Sequence, residues 1–174
     1  DTKALIDGTT ITATDMFVEA ESKSNLVSVA GQVSADHNAN AAVGAAVSIV
    51  NSDSDTSATI NNATINAQDV IVQAISNNES MNVAIGLSVA AGSNASLSGA
   101  GNVATNNIAN DTTVTIAGTT IDASGTVAAL ANSNEVLRNY GGAAPVSANS
   151  GSISAALGGT VVVNTITGDT HAIV

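Results

Sequence analysis

A hexapeptide that returns four times is the feature that most limits how this chain can fold. It reads DTKALI at residues 1–6, DTSATI at 55–60, DTTVTI at 111–116 and DTHAIV at 169–174. Successive copies begin 54, 56 and 58 residues apart. A nearly constant period of this kind is typical of repeat architectures, in which each unit stacks on its neighbours. The sequence predicts one array over 1–174, with repeats 1–54, 55–110 and 111–168 and the start of a fourth at 169–174.

The segments that follow each hexapeptide also align. GTTITATDMFVEA (8–20), NATINAQDVIVQA (62–74) and GTTIDASGTVAAL (118–130) share a Thr-Ile pair, an Ala two positions later, and then a strand-like run. A valine stands eight residues before each later hexapeptide, at Val47, Val103 and Val161. Only the middle of the repeat changes in length, which indicates a solenoid that accepts insertions at one place.

Apolar residues at every second position predict β-strands. The stretch 81–91 and the stretch 25–35 each place their larger apolar residues on one face, which we expect to point into the interior. A charge at Ile85 is therefore expected to abolish cooperative unfolding. The clusters SNNES, AGSNAS and NSDSD are interpreted as turns. The residues assigned to the interior face are Met81, Val83, Ile85, Leu87, Val89 and Ala91, and Val27, Val29, Gly31, Val33 and Ala35.

Two all-β architectures fit this pattern. The first is a right-handed parallel β-helix, or β-solenoid, whose narrow interior suits a chain with 1% aromatic residues. The second is an antiparallel β meander or sandwich, which the near absence of Asn-Gly and Asp-Gly hairpin turns disfavours. A coil of about 18 or about 28 residues would give a rod of about 43 or 29 Å, respectively, and the longer coil is slightly favoured. Ile60 and Ile116 should share one interior stack, and Ile65 and Ile121 another.

The charge of the chain excludes some partners. Three Lys and Arg residues stand against fourteen Asp and Glu residues, for a net charge of −11. Nucleic-acid binding needs clustered cations, so it is excluded, and anionic membrane surfaces are disfavoured. Because no apolar run approaches the roughly 18 residues of a membrane helix, we expect no membrane insertion. The chain has no cysteine, and therefore no disulfide framework.

Two acidic patterns in the sequence resemble metal sites. NSDSDT (51–56) begins like a calcium loop, but Thr56 and Asn62 replace the glycine and glutamate that an EF-hand needs at its sixth and twelfth positions. A ladder of one aspartate per hexapeptide would be bridged by cations only if its members were close. With two or three coils between them, they would lie about 10–14 Å apart. We therefore expect no metal site; the ladder is Asp1, Asp55, Asp111 and Asp169.

The sequence also predicts no catalytic residue and no cofactor site. His37 and His171 are the only histidines, and we expect both to be ordinary surface or strand residues. A β-helix carbohydrate-active enzyme would need basic residues against an anionic sugar, and only Lys3, Lys23 and Arg138 are present. We therefore expect no enzyme. Asn-x-Ser/Thr sequons, which matter only in a source that glycosylates exported proteins, occur at Asn62, Asn78, Asn94 and Asn110.

One family resemblance covers essentially the whole chain. DTSATINNATINAQDVIVQA (55–74), together with small-residue strands such as AAVGAAVSIVN (41–51), resembles the repeats of very large bacterial surface adhesins. These are the filamentous-haemagglutinin-like proteins, autotransporter passengers and leukotoxin-type filamentous adhesins. The resemblance implies an exported, elongated β-solenoid with a structural or adhesive role. The third repeat departs from the pattern at 134–150, interpreted as a bulkier insertion that holds the only Arg, Tyr and Pro.

We therefore expect an extracellular or cell-surface structural β-solenoid, a stalk segment of a surface adhesin. Its partners would be the rest of a longer chain and a host-cell or glycan ligand, bound at 134–150 or elsewhere. The alternative is the self-assembling subunit of an extracellular filament. Because DTHAIV ends the chain at the phase at which DTKALI begins it, copies could join end to end by strand addition.

Overall fold

The structure is a computed structural model that describes residues 1–37, 41–92, 95–151 and 153–174. Almost all of these residues lie in strands, and none of them lies in a helix. The strands are β1 (Thr2–Asp7), β2 (Thr10–Thr12), β3 (Asp15–His37), β4 (Ala41–Asn61), β5 (Thr64–Ala67), β6 (Asp69–Gly92), β7 (Ala95–Ala117), β8 (Thr120–Ala123), β9 (Val127–Asn149), β10 (Ile153–Thr167) and β11 (Thr170–Ile173).

The strands form three parallel sheets. Sheet A has the order β1-β4-β7-β10, with β11 also paired to β7, sheet B has the order β2-β5-β8, and sheet C has the order β3-β6-β9. Every pairing between these strands is parallel. The predicted parallel β-solenoid is therefore confirmed, and the antiparallel alternative is wrong.

One repeat makes one coil. Thr2 pairs with Thr56, Thr56 with Thr112, and Thr112 with Thr170, so the hexapeptides stack directly on each other. The predicted coils of about 18 or 28 residues are wrong, because two of the three clusters predicted as turns continue as strand; the third, AGSNAS, includes 93–94, which lie outside the described residues. SNNES lies inside β6 and NSDSD inside β4.

The long coil also corrects the predicted dimensions. Sheet C is three strands deep and sheet A at most four, so the outermost strands of a sheet lie about 10–14 Å apart, and the rod of 29 or 43 Å is wrong. A strand of 23 residues, such as β3, measures about 75 Å when extended. The longest dimension of the molecule therefore runs along the strands and not along the stack of coils.

The turn from sheet A to sheet B has the same backbone shape in each coil. Gly8, Asn62 and Gly118 occupy equivalent positions and have φ angles of 61°, 50° and 58°. Asparagine is one of the few side chains that tolerates this left-handed conformation. The three repeats differ in length mostly at the end of the coil opposite this turn. The register offset rises from 54 between β3 and β6 to 56 between β4 and β7, so the extra residues lie in the connections from sheet C to sheet A.

The apolar core lies where the three sheets meet. Ile60 and Ile65 are fully buried there, Ile116 is 6% exposed, and Ile121 packs against them. Ile60 is paired with Ile116 and Ile65 with Ile121, which confirms the two predicted isoleucine stacks. We call this region the triangular end; its buried core also includes Met16, Val18, Ala20, Ala58, Ala63, Val70, Val72, Ala74 and Val114.

Beyond the triangular end, sheets A and C face each other directly and form what we call the flat part. Here the predicted interior face is wrong. Ile85 is 53% exposed and points outward, whereas its neighbour Ala84 is fully buried. The same inversion holds for Val27, Val29 and Val33 in β3. The alternation has the period that the sequence predicts, but its larger apolar residues lie on the outer side of the sheet.

The close approach of the two sheets explains the inversion. A Cβ atom added at Gly86 would lie 2.6 Å from Oδ1 of Asn102, and one added at Gly44 would lie 2.9 Å from the carbonyl oxygen of Leu87. Real Cβ atoms essentially never come this close to another atom, so the interior has no room for valine or leucine at these points. The bulky residues of each alternating stretch therefore face outward.

Hydrogen bonds between serine and asparagine side chains and the facing sheet hold the flat part together. Asn82 Nδ2 donates to the carbonyl oxygens of Ser48, at 3.1 Å, and Thr105, at 2.9 Å. Ser88 Oγ donates to the carbonyl oxygen of Ala42 at 2.8 Å. Further bonds join Ser80 to Asn106 and Ser28 to Ser48. Buried polar groups need such partners, so they also fix which strand faces which.

Candidate interaction surfaces

The flat part carries almost no charge. Residues 80–110 and 139–168 contain no charged side chain, and together they include most of the flat part of the second and third coils. In the first coil, 41–52 is also uncharged. The acidic residues gather mainly around the triangular end and the strand segments next to it. The flat part is therefore the region whose exposed surface is least suited to water.

Its outer surface on sheet A is ridged and apolar. Val47, Val103 and Val161 are in register on neighbouring strands and are 59%, 37% and 55% exposed. Two residues earlier along each strand, a row of Ala and Gly leaves an apolar groove of about 330 Å³ beside this valine ridge. We call this surface the valine face; its outward residues are Val43, Ala45, Val47, Ile49, Leu97, Gly99, Gly101, Val103, Thr105, Ala155, Leu157, Gly159, Val161 and Val163.

A second, polar groove lies on the outer surface of sheet C. It has a volume of about 290 Å³, and its floor includes the row formed by Lys23, Asn77 and Asn134. Glu21 and Glu79 add carboxylates to its lining. Amide and carboxylate groups of this kind can hydrogen-bond to hydroxyl groups of a ligand. The groove is shallow and open, and Glu79 also forms an ion pair with Arg138.

The segment 134–150 is not an insertion. All but its last residue belong to β9, which pairs with β6 without a bulge and forms an ordinary coil. Arg138 and Tyr140 point outward, and Glu135 points inward, where its carboxylate accepts bonds from Asn78 Nδ2 at 3.0 Å and Ser133 Oγ at 3.1 Å. The interpretation of this segment as a bulkier insertion is therefore wrong, and the segment forms the edge of sheet C. A ligand site at 134–150 stays a prediction.

The aspartate ladder is denser than expected. Asp55 and Asp111 are direct register partners, so they are separated by one strand spacing of about 4.8 Å rather than by 10–14 Å. Asp111 Oδ1 also accepts a bond from the backbone N–H of Asp169 at 2.9 Å. Within the described residues, no group of three or more His, Cys, Asp or Glu side chains could hold a metal ion.

NSDSDT does not form the polar turn that the sequence suggested. It lies within β4, where alternate side chains point to opposite faces of the sheet. Its oxygen atoms therefore do not converge on one point, as they would in a calcium loop.

The two histidines lie far apart and are solvent-exposed. His37 ends β3, and His171 in β11 has its Nε2 atom 3.8 Å from Asp169 Oδ2. Two of the four sequons are inaccessible, because Asn78 is 4% and Asn110 is 3% exposed. Asn62 is exposed in its turn, and Asn94 lies outside the described residues.

Sequence reasoning missed both the buried Ser and Asn rows and the valine face. The signal was present in the small size of the intervening residues. In AAVGAAVSIV (41–50), the alternate positions occupied by Ala42, Gly44, Ala46 and Ser48 are small and lie inside. A small-residue row facing a second small-residue row indicates two closely packed sheets, whichever face is more apolar.

Comparisons with family models, with curated proteins and with solved structures found no match to this chain. In the part of the chain that the structure describes, no helix is long and apolar enough to cross a membrane.

Proposed function

We propose that this chain is a structural β-solenoid segment of an extracellular adhesin. It would form part of the adhesin's stalk, which grows by one strand layer with each added coil. The observation that carries the proposal is the one-repeat-one-coil register. Each of the three sheets adds one strand per repeat at the same position, so further repeats can be added without changing the coil below. The resemblance to filamentous adhesin repeats supports the extracellular location.

The interior supports a structural role rather than a catalytic one. Between sheets A and C it is filled by small and polar side chains that bond to the facing sheet, such as Asn82 and Ser88. The two grooves lie on outer surfaces and are shallow. An adhesive contact with a glycan would use the polar groove of sheet C, whose amides and carboxylates suit hydroxyl groups.

The stalk proposal predicts how size changes when coils are added. Residues 1–168 joined directly to a second copy of 1–174 keep the repeat phase across the junction. We expect small-angle scattering to show one particle, thickened by about 14 Å along the stack for three added coils, while its width of about 75 Å is unchanged. A chain with a long Gly/Ser linker at the junction is the control and should scatter as two separate bodies. Identical scattering from both chains would contradict the proposal.

A filament subunit is the second candidate, and the open edges of sheet C favour it. β3 and β9 are each 23 residues long, and each pairs along one edge only within the described residues. An unpaired edge is a template for another strand. If copies join head to tail in phase, β3 of one copy lies beside β9 of the next, and the extended array has no natural end.

A charge pair tests this contact. Val27 is in register with Met81, and Met81 with Arg138, so Val27 of the next copy would lie opposite Arg138. Val27→Glu should associate more tightly than Val27→Arg by roughly 1 kcal/mol, about fivefold in the association constant. Both variants lose the same valine, so each controls for the other. Light scattering against concentration measures the difference, and equal association would argue against head-to-tail addition.

A further inference from the structure

We propose that the valine face of sheet A pairs with the valine face of a second copy of this chain, so that two solenoids lie side by side with their stacks parallel. This inference goes beyond the stalk proposal, which concerns only the addition of coils along the stack. The exposed apolar surface of β4, β7 and β10 carries no charged residue over 41–52, 95–110 or 153–167.

The shape of the valine face is self-complementary. The ridge of Val47, Val103 and Val161 lies beside the groove of Ala45, Gly101 and Gly159, and each ridge residue is two positions from a groove residue on the same strand. A two-fold axis parallel to the stack, between these rows, places each valine of one copy over a small residue of the other. Because the axis runs along the stack, the coils of the two copies stay at equal height.

The remaining rows match under the same rotation. On the two outer strands Val43 then faces Ile49 of the other copy and Leu157 faces Val163, so large apolar residues meet there. On β7 the same rotation places Gly99 over Thr105. The acidic positions Asp53 and Asp55 lie farther along β4, beyond the residues that overlap. The chain carries a net charge of −11, but the paired surfaces bring no acidic residues together.

The area of the contact sets the expected strength of pairing between the two copies. A patch of about ten residues by three strands covers roughly 400–500 Å², below the roughly 800 Å² per partner of a standard stable interface. Pairing of the three-coil chain should therefore be weak and depend on concentration. A directly joined six-coil chain offers twice the area and should pair much more tightly.

A second copy explains this surface better than a lipid bilayer does. The strand edges of β3 and β9 would leave backbone N–H and C=O groups without partners in hydrocarbon. Asp36 and His37 at the far end of β3 would also have to enter or cross it. Fluid acyl chains pack equally well against a surface without a ridge and a groove in register. A rigid second copy packs better against the ridged surface, because its own ridge fills the groove.

Sedimentation equilibrium of the three-coil and six-coil chains tests the pairing, with two informative substitutions. Val103→Lys puts an unpaired charge at the centre of the contact, and we expect it to weaken pairing by more than about tenfold. Gly101→Val makes the face more apolar but fills the groove. Its added Cβ meets nothing within 4 Å, so the fold tolerates it, and we expect pairing to be lost. Val29→Lys, on the outer face of sheet C, is the matched control and should pair like the parent.

Three results would overturn the inference. The first is a six-coil chain that remains monomeric, which would leave the stalk proposal standing. The second is a Gly101→Val variant that pairs as well as the parent or better, because general apolar association needs no groove. The third is co-sedimentation of the parent and Gly101→Val alike with phosphatidylcholine vesicles, without dimer formation, which would assign the face to lipid.

Discussion

Ala84→Asp is expected to abolish cooperative unfolding, whereas Ile85→Asp should leave it almost unchanged. Ala84 is fully buried between sheets A and C, and Ile85, the next residue, is 53% exposed on the outer face. A buried carboxylate at residue 84 would have no cation nearby, since its own segment 80–110 and the neighbouring segments 24–35, 41–52 and 139–168 contain none. A buried charge without a compensating partner destabilises a protein by about 3–5 kcal/mol, which is a large share of the stability of a domain.

Thermal unfolding followed by far-ultraviolet circular dichroism measures both variants. We expect no cooperative transition for Ala84→Asp, and a change within about 1 kcal/mol for Ile85→Asp, because exposed substitutions are usually small in effect. The sequence alone predicted the severe effect at Ile85. If Ile85→Asp unfolds the chain and Ala84→Asp does not, the assignment of the two faces in β6 is reversed.

Ile60→Ala is expected to destabilise the chain by about 2–5 kcal/mol, and Ile49→Ala by well under 1 kcal/mol. Both isoleucines lie in β4, eleven residues apart, and lose the same atoms. Ile60 is fully buried in the triangular end, while Ile49 is 59% exposed on the valine face. The difference arises because truncation at Ile60 leaves a cavity that its packed neighbours cannot fill.

The difference between Ile60→Ala and Ile49→Ala also indicates which part of the solenoid supplies most of its free energy of unfolding. The flat part buries several polar atoms that lack a partner within the described residues, including Oδ1 of Asn82, Oδ1 of Asn102 and Nδ2 of Asn106. Each unsatisfied group costs about 1–3 kcal/mol, so the apolar triangular end must supply most of the stabilisation. Denaturant unfolding of the two variants tests this, and equal midpoints would contradict it.

The sequence determined the periodic part of this structure. Hexapeptides at nearly constant spacing, together with apolar residues at alternate positions, predicted parallel stacking. The isoleucines that end the first three hexapeptides, Ile6, Ile60 and Ile116, form one ladder. These features are local or strictly repeated. A pattern that returns at every coil can be read without knowing how far the chain travels between copies.

Three features were decided only by the tertiary structure: the length of the coil, the side of each sheet that faces inward, and the place of 134–150. Asn and Ser clusters such as SNNES are compatible with a turn, and become strand only because a facing sheet accepts their hydrogen bonds. A strand of period two has two faces, and the sequence does not say which one meets another sheet. Here the distance between sheets decided it, because the facing backbone at Gly44 and the side chain of Asn102 at Gly86 leave no room for a further side chain.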